Sequence, residues 1–141
     1  MASGNRQING MRGVYLAAAE LSKLGFIVSP TSRGAMGADL LVTDQNCQKS
    51  FSVQVKTNSS KASFFLLGKK SKDMISETHI YVLVDIREVK SSCHHTEQIT
   101  YFIIGSEDLS GRAYFEGDWP SVNISALQDC KSSWGVFGSP T

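Results

Sequence analysis

The sequence predicts an α/β fold in which helices cover a central mixed sheet. Residues 6–24 carry apolar side chains at helical spacing. Residues 38–43 and 51–57 are apolar and β-branched runs on either side of a polar turn, which predicts a hairpin. Residues 78–86 form a nearly continuous apolar run, typical of a strand buried on both faces. The expected order is a helix, a three-stranded meander, a short helix, a strand, and a tail with a further strand and helix.

The first helix is predicted to end at Gly25, because glycine commonly follows the last helical turn. Its apolar side chains recur every three or four residues, and we expect this row to face the core. The row consists of Ile8, Met11, Tyr15 and Ala18, and it is widened by Leu16, Leu21 and Leu24. Residues 26–28 then form a short strand, the first of the meander.

The segments after the hairpin are less regular. Residues 69–75 predict a short helix, and residues 99–104 predict a further strand. Residues 106–109 resemble a capped helical turn. A capping box that begins at Ser125 predicts a last helix up to about Trp134. Because the chain contains no internal repeat and no linker, one domain accounts for all 141 residues.

Composition excludes several classes of protein. The chain is 41% hydrophobic and 19% charged, which is ordinary for a globular domain. No apolar run reaches the roughly 20 residues of a membrane span, and the N-terminus lacks the apolar core of a signal peptide. The three cysteines, Cys47, Cys93 and Cys130, are scattered and odd in number, which argues against a disulfide framework. We therefore expect a cytoplasmic protein without membrane contact.

The net charge of +1 conceals an asymmetry along the chain. Residues 1–72 contain 10 lysines and arginines against 3 acids, a balance of +7. Residues 73–141 contain 4 against 10, a balance of −6. A basic surface built from the first half would attract polyanions such as nucleic acids. Alternatively, the two halves interleave in space and their charges mix on a solvated surface.

The hairpin brings three chemically useful residues to one place. If its turn is centred on residues 46–47, antiparallel pairing sets Asp39 opposite Gln54. Residues two apart on a strand share a face, so Lys56 lies on the same face as Gln54. A carboxylate, an amide oxygen and an ammonium would then converge on one patch of sheet. This prediction depends on the register, because a slip of one residue would move Asp39 to the other face.

These residue types are those that a metal-dependent phosphodiester site needs. Asp39 is the best candidate ligand for Mg²⁺, the side-chain oxygen of Gln54 is a weaker neutral ligand, and the main-chain carbonyl of Val55 is a third. The Lys56 ammonium would stabilise charge that builds on the phosphate. Alternatively, Asp39 is a turn-forming aspartate after a glycine, and Gln54 and Lys56 are polar residues on a solvated strand face.

Glu20 is a fourth candidate. Its neighbours four residues away on the first helix are Leu16 and Leu24, so it interrupts an apolar row. A glutamate that leans over the sheet could ligate the metal directly or through water. The alternative is a glutamate on the helix flank that reaches solvent.

Together, the helix with Glu20, the Gly-x-Asp39 strand and the Gln54-x-Lys56 strand resemble the PD-(D/E)XK nuclease superfamily. That group includes restriction endonucleases and Holliday-junction resolvases. The resemblance implies an αβββαβ core with Glu20 as the helix acid, Asp39 as metal ligand and Lys56 as the catalytic lysine. The chain departs from the family pattern at Ala38, where the family has proline, and at Gln54, where it has a second acid.

The resemblance covers about residues 6–86, and about residues 87–141 form a C-terminal strand-plus-helix extension of a single nuclease-like domain. It implies hydrolysis of DNA with Mg²⁺ or Mn²⁺, and a homodimer is plausible because each chain has one site. The neutral Gln54 also permits an inactive nucleic-acid-binding or accessory module on the same fold. A protein partner of the defence or toxin–antitoxin type is a third reading, suggested by the small size and the acidic second half.

Further basic residues are candidates for contacts with DNA phosphates. Arg33 lies in the loop before Asp39 and is a candidate phosphate clamp. The lysine-rich segment after the hairpin would bind phosphates or would simply be solvated. Its candidates are Lys61, Lys69, Lys70 and Lys72.

The polar stretch at residues 87–98 contains Cys93–His95, which invites a zinc interpretation. Adjacent histidines lack the usual ligand spacing, so a polar connecting loop is favoured. Trp119 and Trp134 are expected to be core or docking residues of the tail.

Overall fold

The computed structural model describes residues 2–32 and 37–141. Helix α1 spans Ala2–Lys23 and helix α2 spans Ser106–Arg112. The strands are β1 Ile27–Pro30, β2 Leu40–Thr43, β3 Ser50–Asn58, β4 Phe64–Leu66, β5 His79–Lys90, β6 His95–Gly105 and β7 Ser121–Asn123. Short 3-10 helices occupy Ser71–Asp73, Ile124–Cys130 and Trp134–Phe137. Within the described residues, no helix combines the length and the apolar character needed to cross a membrane.

The strands form a central five-stranded sheet in the order β1-β2-β3-β5-β6. Strands β3 and β5 run parallel, and every other neighbouring pair in this sheet is antiparallel. Strands β4 and β7 form a second, two-stranded antiparallel sheet. The predicted α/β fold with a mixed central sheet is therefore confirmed.

The β2–β3 hairpin has the predicted register. Thr43 pairs with Ser50, so the turn is centred between residues 46 and 47. The Asp44 carboxylate accepts hydrogen bonds from the main-chain N–H of Gln48 (2.9 Å) and of Lys49 (3.3 Å), which closes the turn. The position of the turn and the burial of alternate β2 side chains both favour this register between β2 and β3.

Helix α1 packs on one face of the sheet with a row that matches the predicted one only in part, since Leu21 is buried as predicted. Ile8, Met11 and Tyr15 are exposed, and the buried residues of the helix lie on an adjacent row. That row consists of Val14, Ala17 and Leu21, which join Val53 and Val55 of β3 in the core. Gly13 explains the choice, because without a side chain it allows the helix backbone to approach Thr57 closely.

The opposite face of β5 and β6 is covered by a second core, built with residues of β4, β7 and α2. Two predicted helices have other structures here. In place of the helix at residues 69–75, Ser71–Asp73 forms one 3-10 turn, held by the hydrogen bond from the Ser71 hydroxyl to the Gly68 carbonyl (2.8 Å). The predicted last helix is split into two 3-10 segments, and the side chain of Gln128 donates to the Ile124 carbonyl (3.0 Å) instead of closing a capping box.

Strands β5 and β6 extend beyond the rest of the sheet as a two-stranded arm. The polar stretch at residues 87–98 is largely part of it, since pairing continues to Lys90 opposite His95. Cys93 and His94 lie exposed at its tip. No group of three or more His, Cys, Asp or Glu side chains in the described part of the chain is placed to hold a metal ion, so the zinc interpretation has no support.

Candidate active site

Asp39 lies immediately before β2, at the point where β1, β2 and β3 meet. Its main-chain N–H donates to the Val53 carbonyl (2.7 Å), and its carbonyl accepts from the N–H of Thr31 (2.9 Å). Its carboxylate oxygen Oδ2 accepts from the main-chain N–H of Val55 (2.8 Å) and from the side-chain amide of Gln54 (3.0 Å). These two donors fix the carboxylate against β3. Within residues 2–32 and 37–141, no donor contacts the second oxygen, Oδ1.

Gln54 contributes in a different way from a second acid. Its Nε2 donates to Asp39, so its own oxygen Oε1 is directed elsewhere. The half-buried Gln54 side chain is uncharged, so it adds no negative charge that could offset a cation. Instead, it holds the Asp39 carboxylate by a charge-assisted hydrogen bond. A glutamate at this position would set two carboxylates side by side, which is unfavourable without a cation between them.

The main-chain carbonyl of Val55 faces the same side as Asp39. Val55 directs its N–H to the Asp39 carboxylate, and the N–H and C=O of one strand residue point to the same edge. Because β2 begins only at Leu40, no strand residue of β2 lies opposite this part of β3. The Val55 carbonyl and the Asp39 oxygen Oδ1, which no donor among the described residues contacts, are hard oxygen ligands, the type that suits Mg²⁺ or Mn²⁺, whereas the Gln54 oxygen is directed elsewhere. The set includes a single carboxylate.

Lys56 lies on the same strand face as Gln54, two residues further along β3. Burial lowers the pKa of its ammonium below the ordinary 10.5, and the nearby charge of Asp39 acts in the opposite direction. Gly68 covers the lysine, because a Cβ at that glycine would lie 3.5 Å from the Lys56 Nζ. Gly68 has a φ of +82°, a conformation that favours glycine.

Glu20 is not brought to this group. Helix α1 packs against Val53 and Val55, whereas Gln54 and Lys56 point to the other face of β3. Glu20 instead lies near Tyr101 of β6, whose pKa is raised by burial and by the charge of Glu20. Glu20 was a candidate because Leu16 and Leu24 flank it on the helix; in the structure Leu16 is half-buried against the core and Leu24 is exposed.

The sequence analysis missed a buried pair beside the site. Ser52 and His79 share the face of Gln54, with the Ser52 hydroxyl 2.7 Å from His79 Nδ1. His79 is 5% exposed, and its Nε2 has no hydrogen-bond partner among the described residues. Burial lowers the pKa of His79, opposed by a hydrogen bond to Ser52. The predicted strand at residues 78–86 already contained His79, but nothing in the sequence indicates that its side chain pairs with Ser52 of a neighbouring strand.

The candidate phosphate-binding lysines separate into two places. Lys61 lines a cavity of about 650 Å³ at the end of β3, between α1 and the β5–β6 arm, together with Arg12 and Lys90. Arg12 is paired with Glu97 by two hydrogen bonds of 2.7 Å, which connects the two halves of the chain. This ion pair shows that the charges of the basic first half and the acidic second half mix at this point.

Lys69, Lys70 and Lys72 lie on the other side of the site, in the exposed segment that follows Gly68. Lys69 Nζ lies 5.7 Å from the ring centroid of Trp119. Trp119 is 66% exposed rather than part of the core, whereas Trp134 packs against Tyr101 with ring centroids 5.5 Å apart. Arg33, the candidate phosphate clamp, lies outside the described residues.

The fold has a counterpart among solved structures. The chain superposes on Hjc, a Holliday junction resolvase from the archaeal hyperthermophile Archaeoglobus fulgidus, with a TM-score of 0.57. The match covers 92% of this chain and 96% of that one at 12% sequence identity. The chain has a resolvase-like nuclease fold. No model of a known protein family matches the sequence, and no curated protein matches it.

This likeness concerns the fold, because 12% identity transfers no residue role by itself. The resolvase-like fold has the helix, meander and parallel strand that set Asp39, Gln54 and Lys56 at one end of β3. What these side chains do must therefore be argued from their own geometry.

Proposed function

We propose that the protein is a metal-dependent nuclease that hydrolyses phosphodiester bonds of DNA, with branched DNA as its substrate. The observation that carries the proposal is the Asp39 carboxylate, held by the Val55 N–H and the Gln54 amide beside the half-buried Lys56. The resolvase-like fold of the chain supports DNA junctions as the first substrate to test.

Each residue has a definite role in the proposal. Asp39 and the Val55 carbonyl would hold Mg²⁺ or Mn²⁺, and Gln54 fixes the Asp39 carboxylate by its hydrogen bond. The cation would supply polarisation of the phosphate and a water of lowered pKa. The Lys56 ammonium, shielded from solvent by Gly68, stabilises the additional negative charge on the phosphate during hydrolysis.

A cleavage assay on a synthetic four-way junction with Mg²⁺ or Mn²⁺ tests this proposal. Asp39→Asn and Lys56→Met keep the size of each side chain and remove its charge, so each variant should cut at least about 100-fold more slowly. Glu20→Gln is the matched control, because Glu20 lies on the other face of the sheet near Tyr101. Unchanged cutting by both site variants would refute the assignment, and loss of cutting in the control would mean that Glu20 belongs to the site after all.

The neutral Gln54 supports a second candidate, a DNA-binding module without nuclease activity. The single carboxylate gives a weaker cation site than two acids would. Titration calorimetry separates the two candidates: a module of this kind binds junction DNA with strong salt dependence but binds no Mg²⁺ or Mn²⁺ and cuts nothing. If the chain bound no nucleic acid at low salt, the remaining hypothesis would be a component that interacts with a protein partner.

The expected assembly is a homodimer, because one site per chain cuts one strand and a junction must be cut symmetrically. Sedimentation velocity with and without junction DNA measures this directly.

A further inference from the structure

An exposed aromatic surface lies next to the candidate active site. The small β4–β7 sheet is extended by a bridge between Tyr114 and Ser121, and Ser121 also pairs with Leu66. Cross-strand partners share a face, so Leu66 and Tyr114 lie on the outer face of this sheet, on either side of Ser121. Leu66 is 48% exposed and Tyr114 is 61% exposed, whereas Phe65 on the inner face is fully buried.

Trp119 lies at the end of this face. The Pro120 carbonyl accepts a hydrogen bond from the N–H of Leu67 (2.8 Å), which ties the tryptophan loop to the segment that continues into Gly68 and Lys69. The Lys69 ammonium lies over the indole, within the range of a cation–π contact. Trp119 nevertheless remains 66% exposed. We call Trp119, Lys69, Tyr114 and Leu66 the Trp119 platform.

A cavity of about 170 Å³ opens beside the platform. Its charged lining residues are Lys69, Lys72 and Asp118. It therefore offers hydrogen-bond donors and an acceptor next to aromatic surface. Glu116 and Asp118 offset part of the lysine charge, so this surface is not a simple track for a polyanion.

The platform begins one residue from the candidate active site. A Cβ at Gly68 would lie 3.5 Å from the Lys56 Nζ, and the next residue, Lys69, has its Nζ 5.7 Å from the Trp119 ring centroid. Gly68 and Lys69, with Cα atoms about 3.8 Å apart, therefore connect the candidate active site to the platform.

We propose that the Trp119 platform stacks an unpaired nucleobase adjacent to the phosphate held at Lys56. A nucleobase has an aromatic face together with donor and acceptor edges, which matches Trp119, the lysines and Asp118. The inference rests on the proposed action on DNA and adds to it a selection for DNA with unpaired bases, as at a branch point or a flap.

The test compares two 12-nucleotide strands with equal numbers of phosphates, oligo(dT) and an abasic strand, without divalent metal. The wild-type chain should bind oligo(dT) more tightly, and Trp119→Ala should lose about 5- to 150-fold of that preference, the equivalent of one stacked base. Trp119→Phe should keep part of it. Tyr15→Ala is the matched control, because Tyr15 is 59% exposed on α1 and its loss should leave the preference unchanged.

The inference is wrong if the wild-type chain binds both strands equally, or if Trp119→Ala keeps the wild-type preference. Its failure is distinct from that of the nuclease proposal, which the junction cleavage assay decides. A chain that cuts but shows no base preference overturns the platform alone. A chain that shows the preference and loses it in Trp119→Ala, but does not cut, supports the platform and overturns the nuclease activity.

Discussion

Gly13 is where helix α1 approaches β3 most closely, and its replacement by alanine is predicted to destabilise the fold. A Cβ at Gly13 would overlap the Thr57 hydroxyl and would lie 3.0 Å from Thr57 Cβ and 3.2 Å from Thr57 Cγ2. Overpacking of this kind costs about 1–3 kcal/mol. Because alanine has a higher helix propensity than glycine by about 1 kcal/mol, the free energy of unfolding should fall by a net amount of roughly 0–2 kcal/mol.

Gly10, one turn earlier on the same helix, provides the matched control. A Cβ there meets nothing within 4 Å, so Gly10→Ala should stabilise the protein by the full propensity gain of about 1 kcal/mol. Guanidinium denaturation measures both changes as shifts in midpoint at constant slope. The two variants should therefore shift the midpoint in different directions or by clearly different amounts.

Thr57→Ala, combined with Gly13→Ala, completes a double-mutant cycle for this contact. The Thr57 hydroxyl is buried without a partner among the described residues, so its removal leaves no new unpaired group. In that background the overlap with Gly13→Ala is relieved, and the penalty should shrink by about 1 kcal/mol. If Gly13→Ala stabilises the chain as much as Gly10→Ala does, the close approach of α1 to β3 is not what selects glycine.

Three further predictions concern ionisable and polar groups at the site. Because burial lowers the pKa of His79, the unfolded chain binds more protons than the folded chain below about pH 6.5. Acidification from pH 7.5 to 5.5 should therefore reduce the unfolding free energy more in the wild type than in His79→Asn. An equal reduction in both proteins would contradict this prediction. Because the pKa of Lys56 is also lowered, cleavage should decline on the alkaline side below pH 10.5, and Lys56→Arg should move that decline to higher pH. Gln54→Glu places a second carboxylate next to Asp39. The melting temperature of this variant should therefore be lower than that of the wild type without metal and should recover when Mg²⁺ or Mn²⁺ is added. A decrease that the metal does not reverse would argue against a cation at this position.

The hairpin and its register could be predicted from the sequence because both are local. The polar turn has a fixed length, and the apolar alternation of β2 and β3 allows one pairing that buries their side chains. The proximity of Asp39 and Gln54 follows from that pairing alone.

The buried face of α1 could not be predicted in the same way. The helix has apolar residues on two adjacent rows, and the choice between them depends on the contact of Gly13 with a strand 44 residues later. Glu20 became a candidate because Leu16 and Leu24 flank it on the helix, and which side of the helix is buried decides whether it faces the site. The exposure of Trp119 depends equally on tertiary structure, because an aromatic residue in an irregular tail segment has no periodicity to indicate burial.

The Asp39 carboxylate replaces a main-chain acceptor for the Val55 N–H, at the part of the β3 edge that lies beyond the Leu40–Val53 pair, where β2 has no residue. Its orientation is therefore settled when the sheet forms, before any cation arrives. A ligand that is already immobilised loses little side-chain entropy on binding, so folding would supply part of the affinity of the proposed metal site. Preorganisation of this kind would allow a site with one carboxylate to approach the affinity of a site with more charge but greater mobility.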